Sequence, residues 1–296
     1  MERPMTQHQW TTRYILYRSA RFLILVLGGV WLGMTLLVWI MQERLLFPAD
    51  RSSPTMFPSD IGIPFERFTV ETDDGEQLDV WWMPQEPYQQ APTVLFAHGN
   101  AGNMQHRMET YRSLRFAGAN VLTFDYRGYG DSSGRPSADG LRKDGEAIWA
   151  FARDHLHIPA ETIILHGRSL GGAVAIHIAA KAEHPPAGLI VESAFADLHQ
   201  AARDSFPFLP ITWVARHQFP NSERIATVNA PILIMHSQED EMIGYHHAEQ
   251  LHAATTTKDA RLVPLRGSHN HGWTDANGDW TNLIESFIKE HAINKD

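Results

Sequence analysis

The apolar residues of this chain fall into short runs that alternate with longer stretches of helical periodicity. The runs are rich in β-branched residues and occupy positions 93–97, 120–124, 162–166, 188–191 and 231–236, with a last short run at 261–265. Continuous apolar runs of this length are typical of buried strands. The pattern predicts strands that alternate with helices packed against a sheet.

Two regions depart from this alternation. Residues 65–71 and 78–83 flank the turn sequence Asp-Asp-Gly at 73–75, which predicts an antiparallel hairpin at the start of the sheet. Between Glu192 and Ile232 the strand pattern stops, and aromatic residues crowd together with prolines. We expect an insertion here, whose aromatic side chains pack on the core, line a pocket or dip toward a bilayer.

The N-terminal part of the chain carries a third pattern. Residues 22–41 contain no charged side chain, and a helix of that length covers about 30 Å, the thickness of the hydrocarbon core of a bilayer. The segment is longer than the apolar part of a cleavable signal peptide, and no small-residue cleavage site follows it. It predicts a transmembrane helix, because the alternative, a helix buried in a soluble core, rarely lacks polar residues on every face.

Arginines are distributed unevenly around this apolar segment. Four of them precede it, and those that follow are accompanied by Glu43 and Asp50. The positive-inside rule therefore predicts a cytoplasmic N-terminus over residues 1–21 and a main domain on the outer side, which in a bacterium is the periplasm. Residues 42–64, with their Ser- and Pro-rich stretch, predict a connector, and residues 65–296 suffice for one domain.

Composition excludes some classes of function. The net charge is −9, and because the first 21 residues carry +3, the rest of the chain carries −12, which argues against nucleic-acid binding. The chain contains no cysteine, so it has neither disulfides nor thiolate ligands. His269 and His271 lie two residues apart, but no cluster of carboxylates accompanies them, and we predict neither a metal ion nor a cofactor.

The sequence Gly-Arg-Ser-Leu-Gly at residues 167–171 connects a strand pattern to a helical pattern of small residues. A strand that turns directly into a helix strains the backbone at the central serine and exposes its hydroxyl at the carboxyl edge of the sheet. Glycines on either side avoid collisions with the neighbouring strand and helix. The pattern predicts that Ser169 is a nucleophile.

A nucleophilic serine requires a base, and the base requires an acid that orients it. Asp240 follows the run at 231–236, and His269 follows the run at 261–265, which is the order expected after a serine in this position. We therefore predict that His269 is the base and Asp240 the acid. The alternatives are Glu239, Glu241 and Glu192 for the acid and His271 for the base.

The negative oxygen that forms during acyl transfer needs hydrogen-bond donors that are already in place. The backbone N–H of Leu170, at the start of the helix after the serine, is one predicted donor. The second is the backbone N–H of Asn100, in the loop that follows the run at 93–97.

Five motifs in this order resemble those of the α/β-hydrolase fold serine hydrolases, and among these the Bem46-like membrane-anchored group. They are His-Gly-Asn-Ala-Gly-Asn at 98–103, Asp-Tyr-Arg-Gly-Tyr-Gly at 125–130, Gly-Arg-Ser-Leu-Gly-Gly at 167–172, Glu-Ser-Ala-Phe at 192–195 and Gly-Ser-His-Asn at 267–270. The resemblance begins near Leu45 and continues to the last helix. The chain departs from the group at His271, where an acidic residue is common, and at Gly244, where a proline or polar residue is common.

This resemblance implies an eight-stranded, mostly parallel sheet with helices on both faces, a small cap at about residues 195–229 and a catalytic domain over residues 65–296. It also implies cofactor-free hydrolysis of carboxylic esters or thioesters through an acyl-enzyme on Ser169. The expected substrate is a small-molecule acyl ester or a lipid-like ester. Two other functions stay open: a serine peptidase on the same fold, and a membrane-tethered binding protein without activity.

Overall fold

A computed structural model describes residues 7–270 and 279–293 of the chain. Its centre is a sheet of eight strands in the order β1-β2-β4-β3-β5-β6-β7-β8. The strands are β1 Glu66–Glu71, β2 Gln77–Met83, β3 Thr93–Ala97, β4 Asn120–Phe124, β5 Ile163–Arg168, β6 Gly188–Glu192, β7 Ile232–Ser237 and β8 Ala260–Leu265. Strand β2 is antiparallel to β1 and β4, and all the other neighbouring strands are parallel.

Several of the α-helices in the described part of the chain cover the two faces of this sheet, and the complete set follows. The α-helices are α1 Gln7–Leu46, α2 Met108–Phe116, α3 Ala138–Ala150, α4 Leu170–Lys181, α5 Leu198–Ser205, α6 Ile211–Val214, α7 Asn221–Ile225, α8 His246–Ala254 and α9 Asp279–Ile288. Helices α3, α4 and α8 pack into the core on one face, and α2 and α9 pack into the core on the other. Every residue of β3, β4 and β6 is buried, as expected for strands covered on both sides. The predicted α/β-hydrolase architecture is confirmed.

Helix α1 is longer than the predicted span at both ends. Within it, Tyr14–Leu46 is long and apolar enough to cross a membrane, as judged by length and composition. The helix ends five residues beyond the predicted boundary at Met41. The physical reason is that Glu43 and Arg44 end the uncharged stretch but favour a helix, whereas Pro48 disfavours helical geometry at the residue before it.

The connector after α1 packs against two loops of the sheet. Phe47 is buried, and Ala49 forms a parallel bridge with Gly102 in the loop after β3. The backbone carbonyl of Asp50 accepts a 2.8 Å hydrogen bond from the N–H of Gly130, in the loop after β4. Residues 47–50, which fall within the predicted connector, are therefore bonded to loops at the carboxyl edge of the sheet.

The insertion expected at about residues 195–229 lies between β6 and β7. It contains the short helices α5, α6 and α7, and we refer to residues 195–229 as the cap. Helix α7 packs against α4 and α8, while α5 and α6 pack on each other. The cap thus lies above the carboxyl edge of the sheet, next to the predicted nucleophile.

Candidate active site

Ser169 lies at the sharp turn between β5 and α4. Its φ angle is +53°, a region that non-glycine residues rarely adopt and that costs about 1–3 kcal/mol. The turn is held by a 2.8 Å hydrogen bond from the N–H of Ser169 to the carbonyl of Glu192, and by another from the N–H of Gly172 to the carbonyl of Ser169. This geometry is that of a nucleophile elbow.

The glycines of the elbow are required by close backbone contacts. A Cβ atom on Gly171 would lie 2.0 Å from the carbonyl oxygen of Ala97, and one on Gly167 would lie 2.2 Å from the carbonyl oxygen of Gly171. The first turn of α4 therefore lies directly against the end of β3. This approach brings the loop after β3 next to Ser169.

The structure brings Ser169, His269 and Asp240 together. His269 Nε2 is 3.2 Å from Ser169 Oγ, and His269 Nδ1 is 2.7 Å from Asp240 Oδ2. All three side chains are nearly inaccessible to solvent. A chain of hydroxyl, imidazole and carboxylate at these distances can move a proton from the serine to the histidine.

Asp240 is oriented by several donors. Its Oδ1 accepts hydrogen bonds from the backbone N–H groups of Met242 at 2.9 Å and Ile243 at 2.8 Å. Burial alone would raise the pKa of Asp240, but hydrogen bonds from His236 and His269 hold that pKa well below its usual range. The ionised carboxylate accepts the Nδ1 proton of His269, which leaves Nε2 free to accept a proton from the serine.

The acids on either side of Asp240 have other partners. Glu239 Oε2 accepts a hydrogen bond from the backbone N–H of Gly267, and Glu241 Oε2 accepts one from the backbone N–H of His269, each at 3.0 Å. Both carboxylates therefore bind the backbone of the loop that carries His269 rather than its imidazole. The alternative base, His271, lies outside the described residues.

Glu192, the third alternative acid, lies beneath the site. It is 3.0 Å from His166 Nε2 and 3.4 Å from Arg168 Nε. Burial alone would raise the pKa of Glu192. The charge of Arg168 and the hydrogen bond and charge of His166 outweigh this effect and hold the pKa of Glu192 below its usual range. Glu192 is thus a partner for a buried cation.

Arg168 is a site residue that sequence reasoning did not assign. Its guanidinium donates to the backbone carbonyls of His269 and Asn270, at 3.1 Å each, and so fixes the loop that carries the imidazole. The only signal in the sequence is its position next to Ser169. The contact itself depends on the register that pairs Arg168 with Glu192 across β5 and β6.

The two predicted oxyanion donors belong to residues that line the same cavity as Ser169. Leu170 begins α4, where backbone N–H groups have no helical partner. A Cβ on Gly99 would lie 3.6 Å from Ser169 Cβ, so the loop of Asn100 is adjacent to the serine. Tyr129 donates a 2.9 Å hydrogen bond to the Asn100 carbonyl. The roles of both N–H groups stay predictions.

A cavity of about 300 Å³ extends from Ser169 and His269. Its wall is built by the end of α1, by the cap and by the loop after Asp240, with the apolar side chains Leu45, Leu46, Phe195, Phe206, Phe219 and Met242. Among the described residues that line it, none carries a carboxylate. An acyl group fits such a wall better than a charged group does.

Two clusters of histidine and acidic side chains occur elsewhere in the described part of the chain. One contains Asp204, His246 and His247, and the other contains Asp259, Glu290 and His291, with ligand atoms close enough to share a metal ion. Neither cluster includes a member of the Ser169 site. The chemistry available at Ser169 is therefore that of a serine, a histidine and a carboxylate.

The profile of a hydrolase family described as serine aminopeptidase, S33, matches residues 88–223. Bem46 of Schizosaccharomyces pombe is 30% identical over 218 residues, which cover 68% of this chain and 71% of that protein. The lysophosphatidylserine lipase ABHD12 of Xenopus tropicalis is 28% identical over 287 residues, which cover 81% of this chain and 73% of that protein.

Among solved structures, the esterase Pf2001 of Pyrococcus furiosus has the same fold. Its TM-score is 0.70 at 19% sequence identity, over 82% of this chain and 99% of that chain. The likenesses in sequence support a hydrolase, and the family predicted from the five motifs is confirmed. The chain belongs to the α/β-hydrolase family, in the group that includes Bem46.

Proposed function

We propose that this protein is a membrane-anchored serine hydrolase that cleaves carboxylic esters or thioesters through an acyl-enzyme on Ser169. The observation that carries this proposal is the connected chain from Ser169 Oγ through His269 to Asp240, at 3.2 and 2.7 Å, beside an apolar cavity. A binding protein without activity would gain nothing from a strained serine backbone aligned with a base.

In the first half of the reaction, Ser169 Oγ attacks the acyl carbon while its proton moves to His269 Nε2. The negative oxygen that forms accepts hydrogen bonds from the N–H groups of Leu170 and Asn100. Asp240 stabilises the imidazolium and keeps its own charge. The intermediate collapses as His269 returns the proton to the leaving oxygen or sulfur, and the acyl group remains on Ser169.

In the second half, a water molecule takes the place of the leaving group. His269 accepts a proton from this water, and the resulting hydroxide attacks the acyl carbon of the acyl-enzyme. The same two N–H groups stabilise the second oxyanion. His269 then returns the proton to Ser169 Oγ, which releases the carboxylic acid and regenerates the free enzyme.

The apolar cavity supports a lipid-like ester as substrate. The name of the Xenopus tropicalis relative describes a lipase for a lysophospholipid, a substrate with an acyl ester. The family description favours an aminopeptidase, but such an enzyme must bind the ammonium group of a peptide. Because the described lining residues carry no carboxylate, the cavity supports an ester rather than a peptide.

Helix α1 supports the anchoring. With the N-terminus in the cytoplasm, as the arginines predict, the catalytic domain lies on the outer side of the membrane. Leu46, at the end of α1, accepts a 3.2 Å hydrogen bond from the Asn100 side chain. The active site would therefore lie close to the membrane surface.

The test is labelling with a fluorophosphonate, followed by turnover of p-nitrophenyl esters in detergent. We expect the parent protein to be labelled and active, and Ser169→Ala to lose labelling and at least about 10⁴-fold in kcat. The Ser205→Ala variant, which alters an exposed serine at the cavity rim, is the matched control. Turnover that survives in Ser169→Ala would contradict the proposal.

A further inference from the structure

Hydrogen bonds join the cap to helix α1 at Trp31 and at Gln42, which lie about three helical turns apart. Trp31 Nε1 donates a 2.7 Å hydrogen bond to the Phe208 carbonyl, and the Gln42 side chain accepts a 2.8 Å bond from the N–H of Arg216. Gln42 also donates to the carbonyl of Val214. The cap and the apolar helix therefore form one unit rather than two parts that meet loosely.

This contact reaches deep into the uncharged stretch of α1. Trp31 lies ten residues before Met41, which is about 15 Å along the helix axis. Phe208, whose carbonyl accepts the Trp31 bond, is 86% exposed, and Phe206 in the same cap segment is 45% exposed. Large aromatic side chains left open to solvent next to a membrane-spanning segment indicate that this edge of the cap lies in the bilayer.

The end of α1 is also part of the active-site wall. Leu45, Leu46 and Phe47 line the cavity that holds Ser169 and His269. A helix that served only as a tether would not need to contribute side chains there. The helix that crosses the membrane thus leads directly to the nucleophile.

A second, narrow cavity of about 60 Å³ lies next to the first, between α1 and the cap. The two cavities share the lining residues Leu45, Leu46, Leu198, Ala202 and Phe206. The second one extends along α1 to Val38, about 10 Å from Leu45 along the helix and within the uncharged stretch. The two neighbouring cavities together therefore extend from Ser169 toward the uncharged stretch of α1, and the side chains that line both form the boundary between them.

We propose that the crevice between α1 and the cap is an acyl-chain subsite, through which the acyl chain of a lipid ester in the membrane reaches Ser169. This inference rests on the proposed function and names its substrate class, long-chain acyl esters of amphiphilic lipids. The ester group lies at Ser169, and the methylenes of the chain lie between Ala202 and Val38. Arg216 and Glu43 form a 3.9 Å ion pair where α1 leaves its uncharged stretch.

The experiment compares kcat/KM for p-nitrophenyl laurate and p-nitrophenyl butyrate, with the full-length protein in phosphatidylcholine vesicles. Val38→Trp fills only the second cavity and should lower the laurate-to-butyrate ratio by at least about tenfold, because each excluded methylene is worth roughly a factor of four. Val26→Trp, at an exposed position about 18 Å along α1 from Val38 and on a different face of the helix, should leave this ratio at the parent value.

A second variant, Ala202→Phe, narrows the path where the two cavities meet and should lower the same ratio. The rate of fluorophosphonate labelling at Ser169 shows that each variant is folded, so if Val38→Trp does not label, Ala202→Phe decides. A parent-like ratio in a folded Ala202→Phe or Val38→Trp protein would overturn the acyl-chain subsite alone. Absence of turnover by the parent protein for both esters would overturn the proposed function itself.

Discussion

Asp240 receives hydrogen bonds on both of its carboxylate oxygens, and only one of these bonds comes from the base. The two backbone N–H groups on Oδ1 fix the plane of the carboxylate, so that Oδ2 points at His269 Nδ1. The negative charge then stabilises the tautomer with its proton on Nδ1, so that the nitrogen facing Ser169, Nε2, carries no proton. Asp240 therefore acts on His269 in two ways that can be separated, through the orientation of its carboxylate and through its charge.

Replacement of Asp240 by asparagine separates them. The Asp240→Asn amide keeps an oxygen for the backbone donors but loses the charge, so we expect kcat for an ester to fall by about 10³–10⁴-fold with little change in KM. Steady-state kinetics measures the effect. Glu239→Gln and Glu241→Gln are the matched controls, and a comparable loss in either would assign the acid to that residue instead.

That Ser169 and His269 lie together was predictable, because each directly follows a recognisable strand pattern. Which acid would join them was not, since three acidic residues stand side by side and the local pattern does not tell which of them turns inward. In the structure it is Asp240 that contacts the imidazole of His269, held by the turn after β7, where it accepts the N–H groups of residues 242 and 243. The role of Arg168 was hidden for a similar reason, because its partners lie about one hundred residues away in sequence.

The first turn of α4 depends on an exact fit against β3. Gly171→Ala would place a methyl group 2.0 Å from the Ala97 carbonyl oxygen, and we expect it to destabilise the protein by at least about 3 kcal/mol. The corresponding fall in Tm is roughly 6–12 °C, measured by thermal unfolding in detergent.

Gly99→Ala provides the comparison for this substitution. Its methyl group would make only ordinary contacts, the nearest at 3.6 Å, so we expect its stability to stay within about 1 kcal/mol of the parent. Equal stability of Gly171→Ala and the parent protein would mean that the helix can withdraw from the strand.

A buried histidine links helix α8 to the cap. His247 Nδ1 accepts the N–H of Ala196 at 3.3 Å, and its Nε2 is 3.2 Å from Asp204. Burial lowers the pKa of His247 to about 4. The unfolded chain binds this proton near pH 6.5, so the stability contribution is complete above pH 6.5 and decreases as the pH falls toward 4.

We therefore expect the Tm of the parent protein to fall between pH 6.5 and pH 4, partly through His247. In His247→Gln this fall should be smaller by about 2–4 °C. The exposed neighbour His246, which also lies beside Asp204, is changed to glutamine as the control. Identical pH profiles for the parent and His247→Gln would show that His247 does not limit acid stability.

The individual strands were predictable from local apolar runs, whereas the mostly parallel sheet was predictable from the resemblance of the five motifs to a known family. The packing of residues 47–50 was not, because its partners Gly102 and Gly130 lie far along the chain. The local sequence of these residues is compatible with both a free connector and one bonded to the sheet. Only the tertiary contacts distinguish the two.

The orientation of the whole chain in a membrane can be tested on a clean background, because the sequence contains no cysteine. In a bacterial host, a cysteine at exposed Ser52 should react with a membrane-impermeant maleimide from the outer side, whereas Thr6→Cys should react only after the cells are permeabilised. The reverse pattern would place the catalytic domain in the cytoplasm.

The bonds between the connector and the loops after β3 and β4 fix the mouth of the active site relative to the end of α1. With α1 in the membrane and a lipid ester as substrate, as we propose, an enzyme held in this way would not turn away from the lipid surface to sample substrate in bulk water. Its turnover would then depend on the number of substrate molecules per lipid in the membrane around it. Inert lipid added to the same membrane would slow the reaction by surface dilution, even at a constant total amount of substrate.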